Sequence, residues 1–231
     1  AVDFLEELQV PAYKIASPEI IHLPLIKKAA STGKPLIIST GMASVTEIGE
    51  AVLVARDAGC SQLVLLKCTS TYPASAFASN LSTIPHMRNL FDCEVGLSDH
   101  TLGIGVAVAA VAHGASVIEK HFTLSRAAGG VDSAFSMESK EMKNLVIETE
   151  RAWESLGQVK YGPTESEKPN LKYRQSLYIA EDMKKGDVLN GKNLRIIRPG
   201  LGLPPKYYDV VLGRKIKQDV KKGEPVKWEL F

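Results

Sequence analysis

Through the first 120 residues, short apolar runs alternate with longer stretches in which apolar positions recur at helical spacing. Five runs read as buried strands, at residues 12–16, 36–39, 63–68, 94–97 and 116–120. Their starts recur at intervals of about 22–31 residues, enough each time for a helix and two turns. Ser44-Val-Thr-Glu47 is a capping box and predicts a helix that stops at Gly59. Residues 101–113 predict an Ala/Val-rich helix ended by Gly114, and residues 136–157 a longer one. Glu138 falls in the first turn of that last helix, where the helix dipole favours negative charge.

Strands alternating with helices imply an α/β fold with a parallel sheet. Each strand ends in polar residues: Ser17; Ser39-Thr-Gly; Thr69-Ser-Thr-Tyr; Ser98-Asp-His; His121-Phe-Thr. Chemistry in such folds gathers at the carboxyl ends of the strands, and five polar ends on one rim suit a (β/α)8 TIM barrel. Three strands of such a barrel are not accounted for, so about a third of it is expected to precede this sequence. The pattern stops across residues 158–173, where Gly162, Pro163 and Pro169 mark a linker. Residues 174–231 read as a small β-rich module. Its Lys185-Gly-Asp and Lys222-Gly-Glu turns resemble each other, each following an acidic residue and a lysine pair. The expected division is therefore 1–157, 158–173 and 174–231.

Composition narrows the function. With 28 basic and 26 acidic residues the net charge is +2, which gives no reason to expect nucleic acid as a partner. No apolar run reaches the length of a membrane span, and the first residues lack a signal-peptide layout. Three scattered cysteines, Cys60, Cys68 and Cys93, suggest free thiols in a reducing cytoplasm.

The rim carries candidate chemistry. His100 and His121 close neighbouring strands, where two imidazoles can share a divalent metal; each can equally well cap a strand end. Lys14, Ser17, Ser39, Thr40, Ser70 and Ser98 offer one cation and several hydroxyls, the donors that a phosphate cradle needs. Lys120 precedes His121, so strand alternation turns it to the opposite side. His22, His86 and His113 fall in loop or helix positions and are given no role.

Five strings carry a resemblance: Tyr13-Lys-Ile-Ala-Ser17, Ile38-Ser-Thr-Gly-Met42, Lys67-Cys-Thr-Ser-Thr-Tyr-Pro73, Gly96-Leu-Ser-Asp-His-Thr101 and Ile118-Glu-Lys-His-Phe-Thr-Leu124. In order and spacing they resemble strands four to eight of the sialic acid synthase family. Ile197-Arg-Pro-Gly200 and Val211-Leu-Gly213 resemble its antifreeze-like (SAF) domain. The resemblance implies a transferase that condenses phosphoenolpyruvate with an amino sugar. It implies manganese on His100 and His121, phosphoenolpyruvate on Lys14, Ser17, Ser39, Ser70 and Ser98, and Tyr72 and Asp132 beside the sugar. It also implies a domain-swapped homodimer in which Arg198 serves the partner's site. Lys67 and the string Gly129-Gly-Val-Asp-Ser-Ala-Phe-Ser136 resemble the family's pseudaminic branch; the neuraminate and legionaminate branches are the alternatives. The family's first strand carries a glutamate near the reacting centre and its second a phosphate-site lysine, and neither matches a residue here. Two other functions stay open: an aldolase forming a Schiff base on Lys14, and a non-catalytic carbohydrate- or ice-binding protein.

Overall fold

The apolar runs form one sheet. In the computed structural model, which describes residues 1–231, five strands pair in parallel in chain order: β1 (Tyr13–Ile15), β2 (Leu36–Ser39), β3 (Leu63–Cys68), β4 (Glu94–Asp99) and β5 (Ile118–Lys120). Parallel strands covered on both faces become near-continuous apolar runs, as Leu63-Val-Leu-Leu66 shows. Between them run α2 (Leu23–Ala30), α3 (Val45–Asp57), α4 (Thr83–Phe91) and α5 (Gly105–Ala112). A short α1 (Val2–Glu7) precedes them and α6 (Ser139–Leu156) follows. These elements make up one compact unit, Ala1–Gln158.

The sheet is curled. Lys14 on β1 and Glu119 on β5 belong to opposite edge strands, yet their Nζ and Oε2 atoms lie 3.6 Å apart. In a flat sheet, four inter-strand steps would separate those edges by about 19 Å. The curl gives each strand an inner face, carrying Lys14, Ser98 and Glu119, and an outer face packed on helices. The apolar core lies on the outer side, with Ile15, Ile38, Leu65, Val95 and Leu97 against Ile26, Ala51, Val52, Ala55, Ile84 and Met87 of the helices.

Local chemistry sets the helix ends. Ser44 and Glu47 form a reciprocal capping box, and the chain leaves α3 at Gly59 with φ +97°, a conformation that favours glycine. Two helices start later than the sequence pattern suggests. Residues 101–104 form a turn instead of the first turn of α5, because the Thr101 N–H donates to Asp99 Oδ1 and Gly103 takes φ +74°. At α6, Met137 still pairs with Phe122, so the helix waits for Glu138, which caps it reciprocally with Glu141. The first and last strands are shorter than their apolar runs. No helix is long and apolar enough to cross a membrane.

The second compact unit, Val159–Phe231, has its own core of Leu177, Ile179, Leu189, Leu194, Ile216, Val220 and Val226. Its antiparallel pair is β6 (Ser176–Ile179) with β7 (Leu194–Ile197), and a one-turn helix, α7 (Tyr208–Val211), packs on it. The two similar turns cap each other. Asp219 accepts from Lys184 Nζ at 2.7 Å and from the Lys185 N–H at 2.9 Å. Asp182 accepts from Lys221 Nζ at 2.8 Å and from the Lys222 N–H at 2.9 Å.

Candidate active site

Alternation along β4 and β5 turns every second residue to the inner face, and the two histidines that follow these strands meet there. The ring centroids of His100 and His121 are 5.2 Å apart. His100 is buried, and its Nδ1 lies 2.9 Å from the Thr69 carbonyl. A carbonyl can only accept, so Nδ1 carries the proton and a neutral ring keeps its lone pair on Nε2. His121 Nδ1 lies 3.5 Å from Asp132 Oδ2, which favours the same tautomer. Tyr72 lies against His100 with centroids 4.3 Å apart, and Phe135 approaches His121 edge-on at 5.1 Å.

Cys68 Sγ is 4.0 Å from His100 Nδ1 and 3.7 Å from Ser70 Oγ. Burial raises the thiol, but hydrogen bonds with His100, Ser17 and Ser70 outweigh that and leave it lowered to about 7. Burial opposes charge on His100, yet its bonds to Cys68 and Thr69 leave the imidazole raised.

These imidazoles suit a divalent ion. Each has its Nδ1 side engaged and Nε2 as the remaining donor, the usual preparation of a histidine ligand. No third His, Cys, Asp or Glu completes the set. An ion held by this pair would draw its other ligands from water or substrate, as catalytic rather than structural sites do.

The hydroxyl set does not act as one cluster. Ser98 Oγ donates to Glu119 at 2.7 Å, and Lys14 reaches the same carboxylate, so β1, β4 and β5 join there. Ser17 Oγ accepts the Gly41 N–H at 3.0 Å, and a Cβ at Gly41 would collide with both Ser17 and Ser70. Gly41 thus lets two strand-end hydroxyls close on one small space. Ser39 Oγ is buried without a partner. Thr40 turns away and donates to the Leu66 carbonyl, which gives it a structural duty.

Other positions lie elsewhere. Arg198 is exposed after β7, in the second unit. His22 caps α2 by accepting the Leu25 N–H, and Lys120 makes a buried pair with Asp99 on the outer face. Lys67 also faces outward, so it does not line the inner face and cannot read a sugar bound there. The sequence reading passed over Cys68, Glu119 and Phe135. Alternation of Cys68 with Ser70 and of Glu119 with His121 was signal enough for the first two. Phe135 ends a single 3-10 turn, Ser133–Phe135, too short for a periodicity to mark it.

The comparisons agree on a lineage. Residues 1–161 match the NeuB family and residues 174–231 the SAF domain. A pseudaminic acid synthase of Helicobacter pylori is 39% identical over 98% of this chain and 67% of its own length. An N,N'-diacetyllegionaminic acid synthase of Campylobacter jejuni is also 39% identical, over 98% of this chain and 69% of its own. The crystal structure of an N-acetylneuraminic acid (sialic acid) synthetase from Leptospira borgpetersenii, in complex with citrate, superposes with a TM-score of 0.68 at 39% identity. That match covers 75% of this chain and 60% of the other. The chain spans about two thirds of the length of the curated relatives it matches. By its strands, its rim and its second module, the chain belongs to the NeuB family.

Proposed function

We propose that the protein is a pseudaminic acid synthase, which condenses phosphoenolpyruvate with 2,4-diacetamido-2,4,6-trideoxy-L-altrose and releases phosphate. The observation that carries the reading is the His100–His121 pair, 5.2 Å apart with both Nδ1 edges engaged. The pseudaminic branch rests on the string from Gly129 to Ser136 and on the Helicobacter relative. A legionaminate synthase is the second reading, favoured by an equal identity.

In the reaction, C3 of phosphoenolpyruvate bonds to the aldehyde carbon of the open-chain sugar, and the aldehyde oxygen gains a proton. Water adds at C2, the C2–O bond to phosphate breaks, and a nine-carbon 2-keto acid remains. Manganese held by His100 and His121 would supply Lewis-acid polarisation of the aldehyde oxygen. Lys14 and the hydroxyls of Ser17, Ser39, Ser70 and Ser98 hold the phosphate and carboxylate, fixing C3 for attack. Glu119 keeps Lys14 and Ser98 in place before the anion arrives. Tyr72 and Asp132 line the sugar side. Asp132 also orients His121. Arg198 completes the partner subunit's site in a domain-swapped homodimer, and three free thiols suit a cytoplasmic enzyme.

The test is phosphate release by the purified full-length protein with phosphoenolpyruvate, manganese and each sugar in turn. The altrose derivative should turn over fastest. Turnover with N-acetylmannosamine alone would overturn the branch. No phosphate with any sugar would sink the synthase reading, and EDTA-insensitive trapping of pyruvate on Lys14 by borohydride would favour the aldolase.

A further inference from the structure

A cavity of about 390 Å³ lies outside the barrel sheet, between α3 and α4, and shares no lining residue with the inner face except Cys68. Its size falls in the range of small-molecule pockets. Its wall is mostly apolar: Val45 and Ile48 from α3, Met87, Leu90 and Phe91 from α4, and Met42 from the turn after β2. Three of these are substantially exposed at 73% (Met42), 58% (Val45) and 51% (Leu90), so the pocket has an apolar rim open to solvent. Such a cluster around one groove is uncommon unless something covers it.

The polar part of the wall is one-sided. Its charged or titratable members besides Cys68 are Lys67 and His86, and it holds no carboxylate. Lys67 forms no salt bridge, although lysines and arginines make eleven ion pairs elsewhere in the protein. Its Nζ donates only to its neighbours, the Cys68 carbonyl at 3.0 Å and Thr69 Oγ1 at 3.4 Å. Burial accordingly pushes its ammonium below the usual lysine range, with the nearby Cys68 opposing the shift. A half-buried cation with no counter-ion, at the inner end of an apolar groove, is an incomplete pair.

We propose that this pocket binds a small amphipathic carboxylate, its anionic head on Lys67 and its apolar body against Met42, Val45, Met87 and Leu90. Charge selects the class: the wall offers an ammonium, an imidazole and the Thr83 side chain and holds no carboxylate, and its one acidic group, the Cys68 thiol, is turned to Ser70 and His100 on the inner side. Apolar area selects the body, because a fully polar anion would leave the rim uncovered. The site is separate from the inner face, since Lys67 points away from it along β3.

The probe is octanoate, with octylammonium as the like-sized cation, titrated into the full-length protein and followed by amide NMR and by calorimetry. Octanoate should bind saturably and shift the resonances of Met42, Lys67, Met87 and Leu90, while octylammonium should not. Lys67→Met should weaken octanoate by about tenfold or more, the value of a charged hydrogen bond, and Lys67→Arg should restore most of it. Leu90→Glu, an exposed change that leaves Lys67 in place, should also abolish binding and serves if Lys67→Met fails to fold. Octanoate should protect Lys67 from an amine-acylating reagent read by peptide mass spectrometry. Octanoate binding to wild type and Lys67→Met with equal affinity, equal binding of both probes, or no saturable binding would each overturn the proposal.

Discussion

The inner and outer faces of β4 and β5 use similar residues to opposite ends. On the outer face Lys120 and Asp99 meet at 2.9 Å with side chains only 2% and 1% exposed, and the ammonium also donates to the Thr101 carbonyl. Asp99 accepts the Thr101 N–H through its other oxygen. That ion pair is complete. One residue along each strand, on the inner face, His100 and His121 keep Nε2 unengaged, and at the end of β2 Ser39 has a buried hydroxyl with no partner. Satisfied polar groups hold a fold together, whereas unsatisfied ones wait for a ligand. Function is therefore to be sought where hydrogen bonding is unfinished.

The comparison breaks most sharply at His100. Under the proposed function, His100→Ala should abolish manganese binding and reduce phosphate release by about a thousandfold, the loss of several kcal/mol of Lewis-acid stabilisation. Its stability should fall by about 1–2 kcal/mol, because the buried ring also donates to the Thr69 carbonyl. Lys120→Met should keep metal binding but lose more stability, because a buried Asp99 left without its cation costs about 3–5 kcal/mol. Chemical denaturation measures that loss. A His100→Ala that loses more stability than Lys120→Met would invert the assignment of the two faces.

Ser39→Ala sharpens the contrast on a smaller scale. Removing a buried hydroxyl that bonds to nothing relieves a desolvation cost, so stability should hold or rise slightly. KM for phosphoenolpyruvate should rise by about tenfold, one hydrogen bond to a charged group being lost. Lower stability with an unchanged KM would make Ser39 part of the core instead.

What the sequence made legible follows the same division. The strands were readable because their outward positions are apolar and β2 and β3 are apolar on both faces over most of their length, and the pairing of His100 with His121 followed from alternation plus strand order. Helix starts were less so. The turn at residues 101–104 depends on an Asp99 side chain and a positive-φ Gly103, neither of which the Ala/Val pattern carries. The cap of α6 is a Glu–Glu box, outside the Ser/Thr signature that identified α3. Lys67 matched a branch of the family as a string, but a string does not say which way a side chain points; the outward register of β3 decides that. Phe135 reached the histidines through a loop, where position follows from packing rather than period.

That loop supplies the smallest test. Residues 125–138 carry Asp132 and Phe135 to the inner face, yet they are pinned from outside. Arg126 reaches both oxygens of Glu141 at 2.5 and 3.0 Å and also donates to the Ser136 carbonyl. The Arg126 guanidinium and the Glu138 backbone N–H together hold the Glu141 carboxyl down at about 2. A carboxyl that ionises more easily folded than unfolded adds stability above its unfolded value, near 4.3, and loses it as pH falls toward 2. Both side chains are more than a third exposed, so screening limits the effect to about 1 kcal/mol at most. Glu141→Gln should therefore be slightly less stable than wild type at pH 6. The two stability curves should converge as pH drops from about 4.5 to 2, since the variant has no proton to gain there. Parallel curves through that window would mean that the clamp is not formed in solution, and that Asp132 owes its place beside His121 to some other contact.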